Sequence, residues 1–134
     1  VPEPSPALSP YDFAVIRIVP RVEREEFVNA GVVVFCPTRK FLKARVEIDE
    51  LRLRALWPPL DIPLLRQHLE PFPAICAGDP DAGPIANRPL RERFHWVVAP
   101  RSTMIQISPV HAGLCDSPDA VLDELFVKLV QTPV

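Results

Sequence analysis

Glycine is scarce: the chain has 4 in 134 residues. None of them opens a helix behind a strand in the Gly-rich turn of a doubly wound α/β fold. The regular alternation of strand and helix that such a fold needs is missing as well. Cysteine is rarer still, at 3. Cys36, Cys76 and Cys115 cannot all pair within one chain and form no Cys-x-x-Cys, which points to a reducing cytoplasm. An excess of basic charge is lacking too: 15 Lys and Arg stand against 17 Asp and Glu, for a formal net charge of −2. General nucleic-acid binding is therefore disfavoured, although Arg17, Arg21, Arg24, Arg45 and Arg101 leave a local basic patch open as a third possibility. No apolar run approaches the roughly 20 residues of a membrane helix. The opening VPEPSPALSP lacks the basic and apolar regions of a signal peptide. No membrane association is expected, and the expected compartment is the cytoplasm.

Proline is what the chain has in plenty, at 18 residues. With the glycines this stays below the roughly 25–30% that marks disorder, so the prolines punctuate a folded domain. The expected organisation is a flexible Pro-rich N-terminus over residues 1–10, followed by a single domain over residues 11–134.

YDFAVIRIVP (11–20) and FVNAGVVVFC (27–36) are rich in β-branched and aromatic residues and read as strands. Gly31 inside the second suggests a bulge or the close approach of another backbone. KFLKARVEI (40–48) alternates, with Leu42, Ala44, Val46 and Ile48 on one face. Asp49 and Asp61 are candidate N-caps for two helices, the first through Leu56 and the second with Pro63 in its first turn. Leu65, His68, Leu69 and Phe72 form the second helix's stripe, which Pro71 and Pro73 should end or kink. GDPDAGPIANRP (78–89) reads as a loop. FHWVVA (94–99) and MIQIS (104–108) read as two strands of a second hairpin. Ser117, Pro118 and Asp119 then start a helix with Val121, Leu122, Leu125, Phe126 and Leu129 as its apolar stripe. The pattern predicts an α+β fold, an antiparallel sheet of about five strands with helices packed mainly on one face.

Strand parity nominates a site. With Phe94, Trp96 and Val98 toward the core, His95 faces the other way; with Ile105 and Ile107 inward, so do Gln106 and Ser108. Arg101 and Ser102 lie at the hairpin tip. Extended to the other strands, the same parity adds Arg17 and Asn29, with His111 nearby and Glu26 at the border. Val15, Val33 and Phe35 share this parity, so the face is only partly polar. Arg, hydroxyl, amide and imidazole groups together suit a phosphate or carboxylate. The plainer alternative is a solvated turn and a cross-strand polar pair. His95, His111 and Cys115 make an incomplete zinc set, and Asp79, Asp81 and Asp116 lack the spacing of a calcium loop. No metal and no cofactor are expected, and no catalytic residue is assigned.

The segments YDFAVIRIVPRVEREEFVNAGVVVFCP, ICAGDPDAGPI and RFHWVVAPRSTMIQISPVHAGLCDSP resemble the family known as domain of unknown function 3037. The resemblance runs from residue 11 to about residue 130. Its most specific parts are Glu26 with Asn29-Ala-Gly31-Val, Arg101-Ser102, and Gln106-x-Ser-x-Val-His111-x-Gly113. It implies a small bacterial cytoplasmic protein with no established activity. It also implies a partner similar to HipA-type kinases, beside which members are often encoded. The segment LEPFPAICAG departs from the continuous helix expected of the family.

Two functions remain in view. The first is a non-enzymatic interaction or accessory module, serving a kinase-like partner, with the polar face or hairpin tip as contact surface; homo-oligomers are compatible with it. The alternative is a small enzyme or ligand-binding domain for a phosphorylated or nucleotide-like anion, in which Arg101 and Ser102 hold the anion and His95 or His111 exchanges protons. A concave, enclosed polar group would favour the second.

Overall fold

The computed structural model describes residues 7–101 and 103–131. An antiparallel five-stranded sheet lies between helices, and the fold is the α+β class that the sequence pattern predicts. The strands are β1 (Ser9–Ile18), β2 (Val28–Cys36), β3 (Phe41–Val46), β4 (Ile105–Ile107) and β5 (His111–Cys115). The helices are α1 (Glu50–Leu56), α2 (Ile62–Leu69), α3 (Pro71–Ala77), α4 (Leu90–Val98) and α5 (Pro118–Leu129). β1, β2 and β3 form a meander, and β4 and β5 both pair with the free side of β1. Ser9 and Pro10 already belong to β1, so the strand begins inside the stretch expected to be flexible; residues 1–6 lie outside the described residues.

Both faces of the sheet are apolar, and each has its own cover. Ala14, Ile16 and Ile18 of β1 join Val33 and Phe35 of β2 under α1 to α4, where Leu53, Leu65, Ile75 and Val97 complete the larger core. On the other face Val32 and Val34 meet Leu122, Phe126 and Val130 at the C-terminal helix. Burying one such aliphatic side chain contributes about 1.5–3 kcal/mol, so the two clusters hold the sheet from both sides. The side-chain caps are those the sequence suggests: Asp49 accepts from the Arg52 amide, Asp61 from Leu64 and Ser117 from Ala120.

One expectation fails. FHWVVA is not a strand. Leu90, Phe94 and Val97 recur at i, i+4, i+7, which wraps them onto one helical stripe, and Phe94 and Val97 are buried. Its β-branched content and short alternation mimic a strand, but the preceding residues extend the stretch to helical length. The second hairpin therefore does not exist, and the fifth strand is His111–Cys115. The second helix does end before Pro71, as expected: α2 stops at Leu69, and Pro73 falls in the first turn of the next helix, α3. Glu70 keeps right-handed helical angles, and Pro71 begins α3, where a missing N–H has no carbonyl to lose.

Gly31 does both things its position suggests. Ile16 pairs with Gly31 but Arg17 pairs with Asn29, so Ala30 is an extra residue in β2. A Cβ on Gly31 would lie 2.7 Å from the Arg45 carbonyl oxygen and 2.8 Å from Val46 Cγ1. Neither can recede without disturbing β3. Gly31→Ala should therefore cost about 1–3 kcal/mol by overpacking, read as a lower denaturant midpoint with an unchanged slope.

All three cysteines are free and buried. Burial pushes the Cys76 thiol up to about 12, against a smaller opposing pull from Arg93. The unfolded thiol ionises near 8.5, so above that pH the unfolded chain releases a proton that the folded chain keeps. Stability should fall as pH rises from about 8 to about 11. Denaturation curves of Cys76→Ala should show a smaller fall over the same range.

Candidate functional site

The C-terminal helix covers only part of its face of the sheet. It packs over β2 and β3, where Asp123 pairs with Arg45 at 2.9 Å and Asp119 lies 3.9 Å from Lys43. β1 and the broken β4–β5 edge remain open beside it. The result is a groove of about 610 Å³ along Phe13, Val15 and Arg17, closed by Phe27 and Asn29 on one side and by Ser108, His111 and Ala112 on the other, with Leu129 of α5 as its wall. A second hollow of about 330 Å³ continues past Arg17 and Phe27 toward Val22, Glu25 and Gln106.

Arg17 stands at the junction of the two. Its guanidinium lies over the Phe27 ring, 4.2 Å from the centroid. Among the described residues it makes no hydrogen bond and no ion pair, and its Nε is buried without an acceptor. Asn29, directly across from it in the ladder, donates from Nδ2 to the Leu129 carbonyl at 3.0 Å. Its Oδ1 is buried without a donor. Desolvated polar atoms left unpaired cost about 1–3 kcal/mol each, more when charged. The Arg17 guanidinium thus stands at the groove with no acceptor among the described residues, above a buried and unmatched Asn29 Oδ1.

The bulge in β2 is what brings Asn29 here. Beyond Ala30 the parity of β2 changes, so Val28 and Ala30 join the larger core while Asn29 turns to the groove. Simple alternation from Asn29 to Val33 and Phe35 places all three together. The structure buries Val33 and Phe35 under the other face.

The remaining nominated residues divide. Gln106 pairs across from Arg17 and donates from Nε2 to the Thr103 carbonyl at 3.1 Å. Ser108 lines the groove, but its hydroxyl is occupied: Oγ accepts from the Val15 amide at 2.8 Å and donates to the Pro109 carbonyl at 2.9 Å. It carries β1 across the break that Pro109, with no N–H, makes in the edge. His111 is exposed at the rim, its ring 5.2 Å from Phe13. Glu26 is exposed and paired with Arg24. His95 is exposed on α4, in the layer packed beneath the opposite face of the sheet. Ser102 lies outside the described residues.

Arg101 is in a different place and is fully engaged there. Its Nη1 donates to the Val97 and Ala99 carbonyls at 2.7 and 3.0 Å, and its Nη2 to Trp96 at 2.8 Å. The fork closes the last turn of α4, a role suited to a cation at a helix C-terminus. The rings of Trp96 and Phe72 flank it at 4.8 and 5.0 Å, and burial lowers its pKa. The aromatic members of the groove, Phe13 and Phe27, were not nominated from the sequence. The signal was available for Phe13, which shares the odd parity of Val15 and Arg17 in β1.

Among the described residues no three His, Cys, Asp or Glu side chains gather as metal ligands. Among the same residues no helix is long and apolar enough to cross a membrane. The contrast between the two arginines is measurable. Arg101→Ala should lower unfolding stability by roughly 1.5–3 kcal/mol, the worth of a hydrogen bond to a charged group. Arg17→Ala, which removes no hydrogen bond and only the stack on Phe27, should lower it by about 1 kcal/mol or less. Chemical denaturation of both variants checks this.

No curated protein and no solved structure matches the chain. A family model does, that of "Protein of unknown function (DUF3037)", over residues 13–130. That span holds every groove residue from Phe13 to Leu129, and the chain belongs to this family.

Proposed function

We propose that the protein is a non-enzymatic interaction module of the bacterial cytoplasm, an accessory to a kinase-like protein, and that it docks a protein helix in the groove beside α5. The observation that carries this reading is the Arg17 guanidinium in the groove lining, without an acceptor among the described residues. Strands lie about 4.8 Å apart and a helix with its side chains is about 10–12 Å wide. One helix over β2 and β3 therefore leaves a strip over β1 and the β4–β5 edge about as wide as a second. Phe13, Val15 and Leu129 give that strip an apolar floor and wall. An amphipathic helix with a carboxylate on its apolar side complements it, the carboxylate meeting Arg17.

A second reading is supported by the groove volume, which lies in the range of small-molecule sites. In that reading a phosphorylated or nucleotide-like anion meets Arg17, with His111 at the rim.

Fluorescence anisotropy of a labelled Leu/Ala helical peptide with one central Glu separates the two. The protein should bind this peptide, and should bind the matching Gln peptide at least about tenfold more weakly. Arg17→Ala should abolish that preference. Equal binding of both peptides would sink the docking reading. Calorimetric binding of ATP or inorganic phosphate that depends on Arg17, without peptide binding, would install the second reading in its place.

A further inference from the structure

Resting on the groove as a protein-docking site, we infer that its occupant in the free protein is α5 of a second copy, in a two-fold dimer with the two sheets facing each other across a layer of two helices. Each chain carries both halves of such a contact. The outward side of α5 exposes Ala120, Glu124, Val127 and Lys128, and the groove faces the same way as that side. Val127 is 58% exposed and Phe27 44% exposed, both large apolar residues without cover on this face. Val121, Leu125 and Leu129 are only half-buried along the groove flank of α5. A second α5 lying in the groove meets them with its own copies of the same three residues.

The charged groups match in kind. Glu124 and Lys128 are exposed and, among the described residues, have no ion pair or hydrogen bond. The other two acids of the helix, Asp119 and Asp123, face Lys43 and Arg45 of their own chain. Arg17, at the floor of the groove, has no acceptor of its own among the described residues. The Glu124 carboxylate of one copy thus meets the Arg17 guanidinium of the other. An isologous contact requires such self-complementarity, because every pair occurs twice about the axis.

Sedimentation velocity of the full chain tests the pairing. Wild type should be a dimer. Arg17→Glu and Glu124→Arg should each weaken it by at least about 30-fold, since each leaves a charge facing its like. The double variant Arg17→Glu, Glu124→Arg should dimerise again, because the swap restores both pairs. That recovery excludes misfolding as the cause of the single-variant losses. A wild type that stays monomeric at about 100 μM, a concentration that would populate any dimer tighter than that, overturns the inference. A dimer indifferent to both single variants, or a double variant that stays monomeric, overturns it as well. The Glu peptide, titrated into the Glu124→Arg protein, then separates the two levels. Binding through Arg17 leaves the docking groove standing with its occupant misassigned, and no binding removes both.

Discussion

Between Ile16 and Arg17 the central strand pair takes up one residue too many on the β2 side, and both faces of the molecule are arranged around that slip. Before it, Val33 and Phe35 look toward α1 to α4. After it, Val28 and Ala30 take over that direction and Asn29 is released to the other face. A bulge keeps the apolar surface of β2 continuous under the larger core while changing what the opposite face shows. Gly31 makes it feasible, since the Arg45 carbonyl sits where a Cβ would be. The edge repeats the device in milder form. Ile16 pairs with Ile107 and Phe13 with His111, so the edge also gains a residue, and Ser108 bonds both backbone groups of Val15 across the gap. Two irregularities on either side of β1 flank the segment that forms the groove floor.

Two arginines show how differently the same side chain is used in one domain. Arg101 meets three carbonyls at the end of α4 and lies between two rings. Its charge is matched by the dipole of the helix it closes. Arg17 has an aromatic ring beneath it and, among the described residues, no acceptor. Stacking on the half-exposed Phe27 contributes about 0.5–1 kcal/mol and holds the guanidinium in place without using its donors. The fork is thereby oriented in advance, which lowers the entropy lost when a carboxylate arrives.

Much of the fold was legible in the sequence, because the first three strands, the three capped helices and the Gly31 irregularity are local matters of periodicity and cap chemistry. The misreading of 94–99 has a definite cause. Phe94, Trp96 and Val98 alternate, and so satisfy a strand, while Leu90, Phe94 and Val97 satisfy a helix. Over six residues the two periods cannot be told apart. That misreading gathered His95 and Arg101 into a site to which they do not belong. Arg17, Asn29, Gln106, Ser108 and His111 do come to one side of the sheet. Asn29, however, was grouped there by a parity that the bulge breaks one residue later. Which of these two arginines remains unpaired could not be read from the sequence, because it depends on the C-terminus of α4 lying beside Arg101 and on no described acid pairing with Arg17.

The acids of the loop that follows β1 explain why Arg17 stays open. Glu23 pairs with Arg21 and Glu26 with Arg24, each two residues away within the same loop, so these carboxylates are engaged locally. Glu25 borders the hollow beside Arg17, but its backbone is in the left-handed region with φ at 57°, and it forms no ion pair with the guanidinium. Such a conformation is uncommon for a residue other than glycine and is worth attention where it borders a site. The loop lies next to an unneutralised cation without closing over it. Surface pairs of this kind contribute little to stability, about 0–1 kcal/mol each. Their effect here is on availability: by engaging their own neighbours, Arg21 and Arg24 keep two acids away from Arg17, and the groove retains a charge that only an incoming group can match.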